Sequence, residues 1–438
     1  MPNTALVWLR NDLRVGDNPA LEAALAEEQP VIALYVEETD PRLRPRGAAS
    51  KWWLEQSLGA LGKDLAAIGV RLETASGAVL DALSAHAPAA VYWNRRYGPA
   101  EREVDAEIKL ALRERGIEVK SFPGNVLVEP FDIATKAGGP YGVFTPFWNA
   151  LNTRDIKLPQ RAGPSRKPLR APKLDTGYRP AAWTGKLAGH WSIGERAATE
   201  RLVAFLDRIE DYPEGRDYPA RDATSRLSPH LAFGEISARQ VWHAAQSLAD
   251  REPSKAAAVE KFLMELAWRD FNHHQLYHRP DIATTPMQPR FAGLRWRRAE
   301  SDLEAWRRGR TGIAIVDAGM REMWETGFMH NRVRMIVASL LTKNLLLNWR
   351  DGEAWFWDCL VDADLANNAG NWQWVAGCGT DAAPYFRIFN PDTQAEKFDP
   401  DGEYVRRWVS EPLSPIVDLK TSRERALAAF AALKEPAS

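Results

Sequence analysis

The sequence predicts two domains: an N-terminal α/β domain built on a doubly wound, Rossmann-like parallel sheet, and an all-α C-terminal domain. Up to about residue 125, short β-rich runs alternate with stretches of helical spacing. After Trp191 no strand alternation remains, and apolar residues recur at helical spacing almost to the C-terminus. A chain of 438 residues also exceeds the size at which a single hydrophobic core usually stops growing.

The N-terminal domain is predicted to alternate strands and helices. The strands are Ala5–Trp8, Val31–Tyr35, Val70–Thr74, Ala90–Trp93 and Ile117–Ser121. The helices between them are Asn18–Ala26, Ser50–Ile68, Ala78–Ala85 and Ala100–Arg115. This alternation implies a parallel sheet covered on both faces, with any ligand at the carboxyl ends of the strands. No G-x-G-x-x-G or P-loop motif supports a dinucleotide or triphosphate site, so a purely structural domain stays an alternative.

A long connection is predicted between the two domains. The segment Leu158–Gly185 is rich in proline, lysine and arginine and has no periodicity, which is typical of a linker. We therefore expect the α/β domain over residues 1–130, the connection over 131–192 and the helical domain over 193–438. The main helices predicted in the last of these are Gly194–Arg208, Ser237–Leu248, Lys255–His273, Ser301–Arg308, Ile313–Thr326, Arg332–Leu347 and Glu353–Leu360.

The composition excludes several classes of protein. The 2 cysteines, Cys359 and Cys378, are too few for a disulfide-stapled fold, a four-cysteine iron–sulfur cluster or a zinc site of cysteine pairs. The sequence contains neither a secretory signal pattern nor an apolar run of about 20 residues, so we expect a cytoplasmic protein with no membrane partner. Because the net charge is -1, any nucleic acid must be bound by a local patch.

Tryptophan is unusually abundant, with 18 residues against 15 phenylalanines and 10 tyrosines. Trp296 and Trp306 lie within the arginine-rich run Arg290–Arg310. Arginines interleaved with aromatic residues suit nucleic acid, although a solvated helical face gives the same pattern. Composition alone therefore leaves the role of the indoles open.

Two stretches combine groups that suit a polar ligand. The run Thr224–Ser228 (TSRLS) offers hydroxyls and a guanidinium for a phosphate, although a helix N-cap at Ser228 is an alternative. In a predicted helix, four residues at i, i+3, i+4 and i+7 form one face that suits a flat polar ligand. They are Glu265, Trp268, Arg269 and Asn272.

Two further stretches are rich in amides. Asn331 and Met335 fall on one helix face, where an amide can read the edge of a base or ring. The segment Asp362–Trp374 holds two Asp, three Asn and two Trp and is predicted to be loop-like. It lacks the glycine and glutamate of a calcium loop. Histidines 273, 274 and 278, which follow Asn272, have no third well-spaced ligand set in their own stretch, so no metal site is expected.

Taken together, these stretches resemble the DNA photolyase/cryptochrome family of flavoproteins. The motifs TSRLS, ELAWRDF, MHNRVRM, DADLANNAGNWQW and TDAAPYFRIFNP occur in the order and spacing of that family. The resemblance covers most of the chain and is strongest from Tyr212 to Trp408. It implies an α/β antenna domain, a long connection and an all-α FAD-binding domain, in agreement with the organisation predicted above.

The resemblance also implies roles for individual residues. FAD would be bound by Tyr212, Thr224, Ser225, Arg226, Leu227, Ser228, Arg334, Asp362, Asp364 and Asn368. The catalytic cavity that receives a flipped pyrimidine dimer would be lined by Glu265, Trp268, Asn331, Met335 and Trp374. Electrons would reach the flavin through Trp372, Trp349 and Trp296. DNA around the mouth of the cavity would be contacted by Arg216, Arg269, Asn272, Arg332, Arg387 and Gln394.

The implied reaction is a light-driven, redox-neutral carbon–carbon lyase reaction on UV-damaged DNA. Excited reduced FAD would donate an electron to a cyclobutane pyrimidine dimer, which splits and returns it. A cryptochrome photoreceptor without repair activity, or an enzyme for (6-4) photoproducts, are the alternatives. Asn368, Asn331 and Met335 favour dimer repair, because plant-type cryptochromes tend to lose this set.

The resemblance is closer to class III of the photolyases than to the enteric class I enzymes, on the stretches HLAFGEIS and WFWDCLVDADL. Through that likeness alone we expect methenyltetrahydrofolate as an antenna chromophore, with a deazaflavin or no chromophore as alternatives. We further expect the protein to be a monomer.

Overall fold

The computed structural model describes residues 4–27, 29–160, 166–381 and 386–433. The N-terminal part is a five-stranded parallel sheet in the order β3-β2-β1-β4-β5. Its strands are β1 (Ala5–Leu9), β2 (Val31–Glu38), β3 (Arg71–Gly77), β4 (Ala90–Asn94) and β5 (Glu118–Phe122). Its helices are α1 (Pro19–Ala26), α2 (Ala48–Ala67), α3 (Val79–Ser84) and α4 (Pro99–Glu114).

Each face of the sheet has its own apolar core. Side chains of α1 and α2, including the fully buried Trp53, pack on one face, whereas α3 and α4 cover the face that carries Trp8 and Trp93. Because both faces are covered, the central strands β1 and β4 are buried at every position, whereas the edge strands β3 and β5 carry charged and exposed residues. The predicted doubly wound α/β fold is confirmed, and β2 is longer than expected because it pairs with β3 as far as Glu38.

The rest of the chain is helical. Its helices are α5 (Phe144–Asn152), α6 (Glu195–Leu206), α7 (Tyr212–Gly215), α8 (Ser228–Phe233), α9 (Ala238–Arg251), α10 (Ala256–His278), α11 (Glu300–Arg307), α12 (Ala314–Thr326), α13 (Asn331–Ser339), α14 (Trp349–Cys359), α15 (Leu365–Ala376), α16 (Pro391–Phe398), α17 (Glu403–Trp408) and α18 (Leu419–Ala431). Short 3-10 helices span Ala182–Gly189, Ile209–Asp211, Pro253–Lys255 and Pro289–Gly293. None of the helices in the described residues combines the length and the apolar character needed to cross a membrane.

Three local predictions were wrong. Helix α5 lies in the segment predicted as a connection, and its apolar face packs into the core formed by α6, α9 and α10. The stretch predicted as a loop before Trp374 forms helix α15. The single helix predicted over Arg332–Leu347 is instead α13 followed by a π-helical turn, Leu340–Asn344.

Buried polar contacts join the two parts of the chain. Arg239 on α9 is 2.8 Å from Asp17 in the loop after β1, and the side chains of both residues are almost fully buried. Trp191, Phe328 and Val361 extend the apolar core beneath the sheet. The N-terminal sheet and the helical region therefore share a continuous buried interface.

Candidate active site

A cavity of about 460 Å³, here called the first cavity, lies among α7, α8, α10, α13, α14 and α15. The predicted cofactor residues that line it are Tyr212, Ser225, Leu227, Ser228, Arg334, Asp362, Asp364 and Asn368. The five predicted catalytic residues Glu265, Trp268, Asn331, Met335 and Trp374 line it as well. The sequence motifs are thus brought together around one space, from segments far apart in the chain.

An ion pair lies in the wall of this cavity. The Nη2 of Arg334 is 2.8 Å from Oδ2 of Asp362, and its Nε donates to the carbonyl of Met329 at 2.7 Å. The hydroxyl of Ser228 donates to the same Oδ2 at 2.6 Å. Oδ1 of Asp362 is buried and has no hydrogen-bond partner among the described residues, so it is an acceptor available to a ligand with an N–H or O–H group.

Asp364 explains why α15 begins where it does. Its Oδ1 accepts a hydrogen bond from the backbone N–H of Asn367 at 2.7 Å, as an N-cap residue does. Its Oδ2 is 3.4 Å from Nε2 of His273. Burial alone would raise the pKa of Asp364, but His273 and the capping hydrogen bond lower it well below its usual value. The helix start and the cavity wall therefore carry a fixed negative charge.

Trp268 is held by a residue that the sequence analysis did not single out. The ring of Phe144 on α5 stacks on Trp268 with centroids 3.8 Å apart and planes inclined by 7°. One helical turn earlier, Oε1 of Glu265 is 2.5 Å from Nη1 of Arg216. The apolar spacing in FTPFWNALN is the signal that predicts α5, and it was obscured by the proline-rich and glycine-rich flanks.

Trp374 faces the cavity from the far end of α15. Its indole Nε1 donates to the carbonyl of Asp381 at 3.2 Å, and its ring stacks on Phe389. Residues 382–385, which belong to the TDAAPYFRIFNP motif, lie outside the described residues. Trp268 and Trp374 thus present indole surface to the same cavity from two different helices.

The three tryptophans predicted to carry electrons differ in burial along their proposed order. Trp372 lines the cavity and is buried, Trp349 is fully buried at the start of α14, and Trp296 is half-buried. Gly352, one turn after Trp349, contacts the Trp372 indole so closely that an added Cβ would lie 2.1 Å from the ring. The absence of a side chain at Gly352 lets the Trp372 indole pack against α14, the helix that begins at Trp349.

In the TSRLS run, the alternative of a helix N-cap at Ser228 is wrong. Ser228 is the first residue of α8 and not its cap, and its hydroxyl bonds to Asp362. Arg226 adopts a left-handed backbone conformation with φ of 50°. Ser225 and Leu227 line the cavity, whereas Thr224 and Arg226 do not.

Most of the residues predicted to contact DNA already have partners within the protein. Arg216 pairs with Glu265, Arg332 pairs with Asp217 at 2.7 Å, and Arg269 donates to the carbonyl of Asn125 at 2.7 Å. Asn272 is buried against Asn367. Arg387 is exposed, and Gln394 is half-buried on α16.

Comparison with known proteins decides the family. A family model described as DNA photolyase matches residues 5–168, and the FAD binding domain of DNA photolyase matches residues 262–414. A deoxyribodipyrimidine photo-lyase of Agrobacterium fabrum is 45% identical over 98% of this chain and 98% of its own length. The chain belongs to the DNA photolyase family.

Two further relatives place the chain within the photolyase family. The crystal structure of a bacterial class III photolyase from Agrobacterium tumefaciens is similar with a TM-score of 0.93 and 43% identity, covering 100% of this chain and 98% of that one. Cryptochrome-1 of Arabidopsis thaliana is 35% identical over 93% of this chain and 63% of its own length. The chain therefore combines a close likeness to a class III photolyase with a more distant likeness to a plant cryptochrome.

This photolyase family member has a second cavity, of about 780 Å³, at the carboxyl ends of its parallel strands. Arg10 follows β1 and Asn94 ends β4, so the cavity lies where the strand order reverses, which is the usual ligand position in such sheets. Ala232, Arg269, Ala363 and Asp364 line both cavities. The two cavities therefore share part of one wall.

Proposed function

We propose that this protein is a light-dependent photolyase that uses FAD to split cyclobutane pyrimidine dimers in UV-damaged DNA. One observation carries the proposal: the Arg334–Asp362 pair and the substrate set Glu265, Trp268, Asn331, Met335 and Trp374 surround a single cavity. The names of the relatives support it, because the similar proteins of Agrobacterium are photolyases.

The first cavity fits a flavin in the chemistry of its donors and acceptors. Oδ1 of Asp362 offers an unused buried acceptor, and the guanidinium of Arg334 supplies the cation that an anionic ring needs. Ser225 and the backbone around the left-handed Arg226 offer donors suited to phosphates. When bound and reduced, FAD would supply a photoexcited electron donor.

The chain's own residues would bind the lesion and exclude water. The indoles of Trp268 and Trp374 offer apolar surface for a dimer that has been turned out of the duplex. Turning it out costs less free energy than for intact bases, because the crosslinked pair is poorly stacked. The carboxylate of Glu265 and the amide of Asn331 can bond to the edges of the two pyrimidines. Arg387 and Gln394 would contact the phosphates around the lesion.

A tryptophan chain would keep the cofactor reduced. Trp372 lines the cavity, Trp349 is fully buried at the start of α14, and Trp296 is the most exposed of the three, which suits electron entry at Trp296. Indole is readily oxidised and polarisable, which suits such a relay. The half-buried Trp296 would be the residue that exchanges electrons with an external reductant.

The second cavity would hold the antenna chromophore, for which we propose methenyltetrahydrofolate. It offers the indole of Trp357 for a flat pterin and the cations Arg46 and Arg350 for carboxylates. The second cavity shares part of its wall with the first cavity, which suits energy transfer over a short distance. Extraction of the purified protein should release a folate, and Trp357→Ala should lose the folate while retaining FAD. Release of a deazaflavin would contradict the folate assignment.

The test of the proposed function compares damaged DNA in light and in the dark. Reduced, FAD-loaded protein is illuminated with oligonucleotides that carry either a cyclobutane dimer or a (6-4) photoproduct. We expect light-dependent loss of the dimer only, and weaker binding of the dimer by Trp268→Ala than by Trp242→Ala, a variant in the core outside the cavity. Loss of only the (6-4) product, or no repair with flavin bound, would favour the alternative functions.

A further inference from the structure

The side-chain amide of Asn368 is held in one orientation by a neighbour on α14. Its Nδ2 donates to the carbonyl of Glu353 at 3.0 Å and to Oε1 of Glu353 at 2.7 Å. A carboxamide has two N–H donors and one carbonyl acceptor, so both donors of Asn368 are engaged by Glu353. The carbonyl oxygen Oδ1 is the polar atom that Asn368 has left for a ligand in the first cavity.

Glu353 is in turn held by Arg44, which belongs to the N-terminal sheet domain. Arg44 lies in the loop between β2 and α2, and its Nη1 and Nη2 donate to the two carboxylate oxygens of Glu353 at 2.6 and 2.9 Å. Its guanidinium also lies 4.1 Å from the ring centroid of Trp357, one turn after Glu353 on α14. A bidentate pair that is also stacked fixes the plane of the carboxylate, which a lysine in this place would not do.

These contacts run from one cavity to the other. Arg44, Glu353 and Trp357 line the second cavity, whereas Asn368 lines the first. The side chain of Glu353 is only 6% exposed, so its charge depends on Arg44 for compensation. A substitution at Arg44 should therefore alter the orientation of the Asn368 amide in the first cavity.

We propose that Arg44 is a positioning residue for the flavin site, acting through Glu353 to keep the carbonyl oxygen of Asn368 turned toward the flavin. The inference rests on the proposed function, because it requires a flavin in the first cavity. Reduced flavin carries a hydrogen on its ring nitrogen N5, whereas the N5 of oxidised flavin is an acceptor. With Asn368 beside N5, as the resemblance to the photolyases implies, an acceptor oxygen on Asn368 would stabilise the reduced form, and an amide that is free to turn would not.

The decisive measurement is the reduction midpoint potential of bound FAD in Arg44→Met and in Arg42→Met. Arg42 lies on the same loop but pairs at the surface with Asp40 and Glu107, so it is the matched control. We expect a tenfold shift toward oxidised flavin in Arg44→Met, a fall of about 30 mV for a two-electron couple. Arg42→Met should leave the potential unchanged, and Arg44→Lys should restore part of the loss.

The same substitution made in the Asn368→Ala variant separates an effect of Arg44 through Asn368 from a general effect on folding. In Asn368→Ala protein, Arg44→Met should shift the potential at least threefold less, because the group on which Arg44 acts is gone. An unmoved potential in folded, flavin-loaded Arg44→Met, or an equal shift in the Asn368→Ala background, would overturn the inference alone. Failure of the unaltered protein to bind FAD would overturn the proposed function together with it.

Discussion

At the scale of single residues, functional side chains of the site are held in place by contacts with residues that are distant in the chain. Motif residues such as Arg334 and Asp362 were predictable because their types and spacing are distinctive, and the structure places them 2.8 Å apart. Phe144, Glu353 and Arg44 were missed, because nothing local in the sequence tells a phenylalanine that stacks on Trp268 from one that fills a core. Their roles become visible only when distant segments meet.

Trp372 gives a prediction that separates electron supply from repair. Trp372→Phe should slow the photoreduction of oxidised FAD at least tenfold, because phenylalanine is much harder to oxidise than tryptophan. Repair by protein reduced chemically beforehand should be retained. The measurement is flavin absorbance under illumination, followed by a repair assay on reduced protein.

The control for Trp372 is Trp306, a fully buried tryptophan that contacts it edge-on with centroids 6.1 Å apart but is not in the proposed chain. Trp306→Phe should leave photoreduction within about twofold of the unaltered rate. Equal slowing in both variants, or loss of repair by reduced Trp372→Phe, would point to a structural role for Trp372.

His330 gives a prediction about pH. Burial lowers the pKa of His330 to about 4, so between pH 4 and its ordinary pKa near 6.5 the unfolded chain binds the extra proton and the folded protein does not. Stability should therefore be lost as the pH falls below about 6.5. Between pH 7 and pH 5 this group accounts for about 2 kcal/mol of that loss.

The measurement is urea unfolding of His330→Asn and of the unaltered protein at pH 7 and pH 5. Asparagine keeps an acceptor for the backbone N–H of Arg332, which Nδ1 of His330 accepts at 3.2 Å, so the cap of α13 is retained. We expect the variant to lose about 2 kcal/mol less between the two pH values. His190→Asn, at an exposed position, is the control, and equal losses in all three proteins would refute the assignment.

At the scale of elements, helices were predicted well where apolar periodicity is strong and poorly where tertiary contacts decide. Asn367, Asn368 and Gly370 are weak helix formers, so Asp362–Trp374 looked like a loop. It forms α15 because Asp364 caps its start and because Gly370 fits closely against Asn272 on α10. Packing and capping thus override the local preference of these residues.

Helix α5 gives a prediction at this scale. Phe144→Ala removes a buried ring stacked on Trp268 and should cost about 3 kcal/mol of unfolding free energy. It should also weaken dimer binding, because Trp268 loses the ring that orients it. Phe131→Ala, at a ring that is 47% exposed, should change both quantities little. Unchanged dimer affinity in a destabilised Phe144→Ala would show that α5 supports the fold and not the site.

At the scale of the whole molecule, a buried ion pair between Asp17 and Arg239 joins the sheet to the helical region. Asp17 accepts hydrogen bonds from Arg239 at 2.8 Å and from the backbone N–H of Gln160 at 2.9 Å. The two-domain architecture was predictable from the change in periodicity near Trp191. The interface was not, because charged residues such as Asp17 and Arg239 ordinarily indicate solvent exposure.

The Asp17–Arg239 ion pair gives a prediction for the stability of the molecule as a whole. Asp17→Asn keeps the shape and tolerates the left-handed backbone at this position, where φ is 50°. It leaves the guanidinium of Arg239 buried without a counter-charge, so unfolding free energy should fall by about 3 kcal/mol. Asp40→Asn, in an exposed pair with Arg42, should lower the unfolding free energy much less. The measurement is urea unfolding. Similar small losses of unfolding free energy in both variants would show that the buried ion pair does not stabilise the interface.

We propose that both cavities and the tryptophan chain serve one function, the light-driven repair of pyrimidine dimers. The most direct measurement illuminates FAD-loaded, fully reduced protein with an oligonucleotide that carries one cyclobutane dimer, and follows dimers lost, pyrimidines restored and flavin oxidised. We expect many dimers to be split per protein in light, none in the dark, and no net oxidation of the flavin. Flavin that stays bound and reduced while the dimers persist under illumination would refute the proposed repair function.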